Sequence, residues 1–176
     1  LLDFARKSDG GYRPIDVGVV ISDFEELIRK SLTAMVSLET NCSEDLFLVQ
    51  LNPADLQDAL INLSLNARDA MPGGGPLVIN ALNVTIDANW IDSEINLEPG
   101  DYLEISVSDT GVGMSRELCD KIFDPFFTTK GKAEGTGLGL SIVYGFVQRA
   151  KGRIFVFSEL GRGTVFKMYF PRSTET

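Results

Sequence analysis

Histidine is absent from all 176 residues. That removes a Ser-His-Asp triad, a His-ligated zinc ion and an imidazole general base from the chemistry this chain can do alone. Cysteine occurs twice, at Cys42 and Cys119, without CxxC spacing. A disulfide framework or a zinc ribbon is therefore excluded, and two ordinary thiols in a reducing, cytoplasmic setting are expected. No apolar run approaches the roughly 20 residues a membrane span needs. The opening LLDFARKSDGG lacks the basic, apolar, small-residue order of a signal peptide, and it lacks an initiator Met, so a fragment of a longer chain is expected. Lys/Arg clusters are missing as well, and the net charge is −9. Nucleic acid, which is bound by replacing counterions with clustered cations, is thus not an expected partner. There is no GK[ST] phosphate loop.

What is present is a globular composition, with 44% hydrophobic and 23% charged residues, enough for one domain with a core. Residues 1–9 read as the end of a helix that Asp9-Gly10-Gly11 stops, and Arg13-Pro14 leads away extended. Phe24, Leu27, Ile28, Leu32 and Met35 recur at helical spacing, with Ser22 and Glu25 as a capping-box signature. Segments 36–42 and 46–51 read as a strand pair around Ser43-Glu44-Asp45. A long helix begins near Pro53 and ends at Met71-Pro72-Gly73-Gly74-Gly75. Strands follow at 76–87 and 102–107, around a loop at 88–100 whose Trp90 is expected to cap the core. A short helix at 115–122, a Gly/Thr-rich stretch from Phe123 to Gly139, a helix at 138–150 and strands at 153–158 and 164–170 complete the chain. The mix predicts an α/β fold, a two-layer sandwich with a mainly antiparallel sheet packed on helices.

Four stretches carry polar chemistry. On the helix 54–71, Leu56, Ala59, Leu60, Leu63, Ala67 and Ala70 form one stripe, and Asp55, Asp58, Asn62, Asn66 and Asp69 a second. The second stripe reads either as a solvated face or as a row of oxygens able to hold a hard cation. Asp109-Thr110-Gly111-Val112-Gly113 ends a strand, as a plain turn or as a carboxylate for an exocyclic amine beside glycines that admit a flat base. Gly135-Thr136-Gly137-Leu138-Gly139-Leu140 opens a helix, where N–H groups and the helix dipole favour an anion, although flexible loops use such glycines too. Gly161-Arg162-Gly163-Thr164 makes a hairpin turn, with the Thr164 hydroxyl placed to face a ligand. Between them, Phe123, Phe126 and Phe127 either dock a partner or pack inward, and Thr128-Thr129-Lys130 follows as a polar end for phosphate.

The order of these stretches is more specific than any one of them. Asn62-Leu63-Ser64-Leu65-Asn66-Ala67-Arg68-Asp69-Ala70-Met71 resembles the N box of sensor histidine kinases. Asp109 to Met114 resembles the G1 box, Phe123 to Phe127 the F box, Gly135 to Leu140 the G2 box, and Gly161 to Thr164 the final glycine motif. The resemblance covers about residues 20–171. It implies the α/β sandwich shared with gyrase, MutL and heat-shock chaperone ATPases, binding ATP and Mg²⁺. Asn66 would then coordinate Mg²⁺, and Asn62 would sit beside the phosphates as the second catalytic residue. Asp109 would accept the adenine amino group, with Gly111, Gly113, Met114 and Thr164 around the base. Residues from about Met114 to Leu138 would form a lid. Asp69, Thr129, Lys130, Gly135, Thr136, Gly137, Leu138, Gly139 and Leu140 would complete the nucleotide site.

By the same resemblance, residues 1–13 are the remnant of a dimerisation and phosphoacceptor hairpin with its linker, and residues 14–176 are the catalytic domain. The acceptor histidine would then lie upstream, so the chain would be the catalytic part of a histidine kinase and not self-sufficient. The full protein is expected to be a homodimer that passes phosphate to the receiver-domain aspartate of a response regulator, with this fragment monomeric. Hydrolysing relatives place a Glu four residues before the Mg²⁺-binding Asn. Here that position is Asn62, which cannot act as a base, so kinase is favoured over an ATPase switch, a serine kinase or a degenerate binder.

Overall fold

The computed structural model describes residues 11–90, 95–124 and 139–175. A five-stranded mixed sheet runs in the order β2-β4-β5-β7-β6, and a two-stranded sheet joins β1 to β3. The elements are β1 (Arg13–Ile15), α1 (Val17–Lys30), β2 (Val36–Cys42), β3 (Val49–Leu51), α2 (Pro53–Ala70), β4 (Gly75–Ile86), β5 (Gly100–Asp109), α3 (Arg116–Cys119), α4 (Gly139–Arg149), β6 (Arg153–Glu159) and β7 (Gly163–Pro171). The helices cover one face of the sheet, which is the expected two-layer α/β sandwich.

Period-two alternation sets the face that is covered. Leu77, Ile79 and Ala81 of β4, Leu103, Ile105 and Val107 of β5, and Phe166, Met168 and Phe170 of β7 are all buried in one core. The helices meet them with Leu56, Ala59, Leu60, Leu63 and Ala67 of α2, Ile21 and Ile28 of α1, and Val143, Phe146 and Val147 of α4. Ala70 of the expected apolar stripe is only half-buried, at the frayed end of α2. That helix starts where expected, at Pro53, and Asn52 caps it by accepting hydrogen bonds from the amides of Ala54 and Asp55.

Three expectations are corrected. The first helix begins at Val17, one turn before the Ser22–Glu25 pair, because Asp16 caps it: its Oδ1 accepts from Gly18 N at 2.9 Å and Val19 N at 3.4 Å. Val17 and Ile21 extend the buried stripe to that cap, and Leu27 and Met35 of the expected stripe are exposed instead. Segments 36–42 and 46–51 do not pair with each other. β2 lies parallel to β4, and β3 lies antiparallel to β1. Parallel strands need a long crossover, and α2 supplies it, so the helix with the polar stripe is clamped across the sheet by its own connections. Trp90 does not cap the core; it is 41% exposed at the end of the turn Asp87–Trp90.

Candidate functional site

At one end of the covered face, the inward-pointing residues of three neighbouring strands turn polar. Register places Asp109 of β5 opposite Thr164 of β7, and Thr164 opposite Ser158 of β6. The hydrophobic rows Val107–Phe166–Val156 and Ile105–Met168–Ile154 lie directly beneath. A polar row at the margin of an apolar sheet, roofed by α2, is a cleft in which a flat, partly apolar group finds both contact area and directional partners.

Asp109 anchors the row. Its Oδ1 accepts from Gly111 N at 2.8 Å, and the Thr164 amide donates to the same carboxylate. Burial nevertheless pushes its carboxyl pKa above the ordinary value, with the two amides pulling the other way. A half-buried acceptor with spare lone pairs suits a ligand donor such as an exocyclic amine.

The glycines after Asp109 admit a close approach of the chain to itself. A Cβ on Gly111 would stand 2.3 Å from the Ala70 carbonyl oxygen, and one on Gly113 (φ +71°) 2.0 Å from that of Glu159. A Cβ on Gly163 (φ +111°) would stand 2.1 Å from the Asp109 carbonyl oxygen. Three strand-end segments and the end of α2 therefore close on one another backbone to backbone. Val112 N donates to Ala70 O at 2.9 Å, and Gly161 N to Val112 O at 2.8 Å. The glycines admit protein backbone, which in turn shapes the cleft. Met114, partly buried, is tied in by its amide, which donates to Ser158 Oγ at 2.7 Å.

The polar stripe of α2 borders α4. Asn62 Nδ2 donates to Asp58 O at 2.8 Å, which leaves Oδ1 free to face Gly139, whose Cβ would lie 3.2 Å away. Asn62 therefore sits against the first turn of α4, beside Leu140, where helix N–H groups favour negative charge. Asn66 is half-buried, and its amide makes no hydrogen bond among the described residues. Asp69 differs: its Oδ1 is engaged by Arg68 Nη2 at 3.1 Å. Among the described residues no three His, Cys, Asp or Glu side chains gather as a metal cage. The donor set instead suits Mg²⁺ held mainly by phosphate oxygens, with one protein amide oxygen from Asn66, because Mg²⁺ keeps few protein ligands.

The structure thus brings Asp109, Gly111, Gly113, Met114 and Thr164 together at the sheet end, and Asn62, Gly139 and Leu140 at the α2–α4 border, with Asn66 one turn further along α2. Phe126, Phe127, Thr129, Lys130, Gly135, Thr136, Gly137 and Leu138 lie outside the described residues. Phe123 is described and packs inward, its ring 5.4 Å from Tyr144 and 6.3 Å from Phe166. Sequence reasoning missed Ser158: a single serine in a strand carries no signal until register sets it opposite Thr164.

Comparison with known proteins agrees with this fold. Residues 51–174 match the family model described as histidine kinase-, DNA gyrase B-, and HSP90-like ATPase. The chain is 37% identical over 176 residues to the sensor kinase CckA of Brucella abortus (strain 2308), covering 99% of this chain and 18% of that protein. It is 31% identical over 172 residues to the sensor histidine kinase ZraS of Escherichia coli (strain K12), covering 97% and 33%. The chain thus spans no more than about a third of these relatives. Among solved structures, the catalytic domain of the histidine kinase ThkA superposes with a TM-score of 0.67 at 27% identity, covering 92% of this chain and 95% of that one. The mycobacterial sensor histidine kinase MprB superposes at 0.71 and 23%, covering 92% and 97%, a likeness of fold.

Proposed function

Because the chain belongs to the histidine kinase-, DNA gyrase B- and HSP90-like ATPase family and is an ATP-binding catalytic domain of the sensor-histidine-kinase type, we propose that it transfers the γ-phosphate of ATP to a histidine on a hairpin domain outside these residues. The observation that carries the proposal is the pairing of a half-buried strand-end carboxylate, Asp109, with an amide-bearing helix whose Asn62 meets the start of α4 at Gly139. One end of such a cleft suits a purine, and the other suits phosphate.

Asp109 accepts the base amino group, Asn66 offers its amide oxygen to Mg²⁺, and Asn62 borders the phosphates. Thr129, Lys130 and Gly135 to Leu138 keep the phosphate-binding roles that the resemblance implies. ATP, when bound, supplies an activated phosphoryl group, whose transfer asks the protein for positioning and charge neutralisation more than for covalent chemistry. The position at which hydrolysing relatives carry a Glu is Asn62, and an amide is not a base at neutral pH; Asp58 lies one turn further back, a poor substitute. The chain therefore holds ATP until an imidazole is presented. In this reading residues 1–13 are the remnant of that hairpin, residues 14–176 are the catalytic domain, the full protein is a cytoplasm-facing homodimer, and the phosphate passes on to a response regulator. Among the described residues no helix is long and apolar enough to cross a membrane.

Calorimetric titration with ATP, with and without Mg²⁺, tests the proposal. Wild type is expected to bind, with hydrolysis far below ordinary enzyme turnover of about 10 s⁻¹, and to label a hairpin carrying the acceptor histidine. Asn66→Ala is expected to bind ATP equally with and without Mg²⁺ and to lose labelling. Steady hydrolysis without any hairpin, or an undiminished Mg²⁺ effect in Asn66→Ala, would overturn it.

A further inference from the structure

Ser158 is named in none of the motifs, yet its hydroxyl ties together three groups around the polar row. Met114 N lies 2.7 Å from Ser158 Oγ, the Gly163 carbonyl oxygen 3.0 Å, and Thr164 Oγ1 2.7 Å. A serine hydroxyl has one proton and two lone pairs. The Met114 amide can only donate, and it takes one lone pair. The Gly163 carbonyl can only accept, so it takes the proton. What remains for Thr164 is the second lone pair, and the short contact between the two hydroxyls must then be a donation from Thr164 to Ser158.

This fixes the polarity of the cleft. With its proton committed to Ser158, Thr164 Oγ1 offers nothing but acceptor capacity, and Asp109 beside it is an acceptor as well. We infer that Ser158 is a positioning residue that sets nucleotide specificity: through Thr164 it keeps the base end of the cleft free of donors, so that a purine bearing a 6-amino group is accepted and one bearing a 6-oxo group is refused. An amino group donates into this row. A 6-oxo oxygen would meet two acceptors with no proton between them, and a buried unpaired acceptor costs far more than a missing favourable contact. The inference rests on the adenine-nucleotide reading above and deepens it.

The experiment is calorimetric titration of this chain with ATP and with GTP for wild type, Ser158→Ala and Ser158→Thr, each checked for folding by its urea midpoint. Removing the hydroxyl frees the Thr164 proton to rotate into the cleft and donate. Ser158→Ala is therefore expected to narrow the ATP:GTP affinity ratio by about tenfold, the scale of one unsatisfied buried group. Ser158→Thr, which restores the hydroxyl, is expected to bring the ratio back. A merely structural role predicts that ATP and GTP weaken by the same factor, and that result overturns the inference, as does an unchanged ratio. If Ser158→Ala does not fold, Thr164→Val, which neither donates nor accepts, is expected to narrow the ratio with Ser158 in place, and an unaltered ratio there is equally fatal. Wild type binding neither nucleotide removes the ATP reading and this inference together, whereas wild type binding both alike removes only the inference.

Discussion

Asp109→Asn is expected to abolish the stabilisation of this domain by ATP while leaving the empty protein folded. At a hundredfold excess over Kd, a ligand that binds only the native state adds about 2.7 kcal/mol, and all of it is expected to disappear. An Asn can still accept from Gly111 through its carbonyl oxygen, but it turns a donor toward the place where the base amine must donate. The empty protein is expected to tolerate the change because the native fold disfavours the charge at this position. Burial raises the Asp109 pKa, outweighing the amides of Gly111 and Thr164. The sign follows from proton counting: between the ordinary carboxylate value and the raised one, the folded chain keeps a proton that the unfolded chain has released. The contribution of Asp109 to stability is thus fully present below the unfolded value and is lost as pH rises through the folded one. Asn carries no such penalty. Thermal melts with and without ATP, at mildly acidic and at neutral pH, check both halves. An ATP shift that survives in the Asn variant would remove Asp109 from the site.

Gly113→Ala is expected to damage the fold itself. Gly113 combines a left-handed backbone (φ +71°) with a position where Cβ would fall 2.0 Å from the Glu159 carbonyl oxygen, inside any possible contact. The neighbour is backbone of the β6–β7 hairpin and cannot rotate away as a side chain would. Left-handed strain and overpacking together predict a loss of about 2–5 kcal/mol, or roughly 5–15 °C in melting temperature for a domain of this size. Two controls separate the causes. Gly161 has φ +80° with nothing within 4 Å of an added methyl, so Gly161→Ala is expected to show strain alone, about 1–2 kcal/mol. Gly73 has open space and no positive φ, so Gly73→Ala should be close to neutral. If Gly113→Ala melts no lower than Gly161→Ala, the backbone junction is looser than these distances require.

These glycines also show where a single sequence stops being legible. Their positions are readable and their partners are not. The spacing of Gly111 and Gly113 looks the same whether a base or the chain itself comes close, and only the folded arrangement of α2, β5, β6 and β7 reveals Ala70, Glu159 and Asp109 as the neighbours. Local patterns do better. Pro53 with the apolar stripe of Leu56, Leu60 and Leu63 marks α2 almost to the residue, because capping and periodicity are written within one turn. The alternation Leu77, Ile79, Ala81 identifies the buried face of β4. Pairing is the weak point. Segments 36–42 and 46–51 look like a hairpin by proximity, and their true partners lie beyond α2 or back at Arg13. The start of α1 is misread because Ser22 and Glu25 make a chemically sound cap inside a helix that Asp16 already begins. Of the candidate site, the helix-borne amides and the strand-end carboxylate are visible as residue types in order. Ser158 is not, since its importance consists wholly of three neighbours that come from other strands and turns.

The last strand in sequence is not the last in space. β7 lies inside the sheet, hydrogen-bonded to β5 on one side and to β6 on the other, and it brings Gly163 and Thr164 to the cleft. During synthesis Asp109, Asn62 and Asn66 are all made early, yet until β7 has left the ribosome the row beside Asp109 is missing and the sheet is split. A nascent chain ending before that strand has its amides and carboxylate without a pocket, so it is silent toward nucleotide. Competence to hold ATP is therefore expected to arrive in one step, with β7.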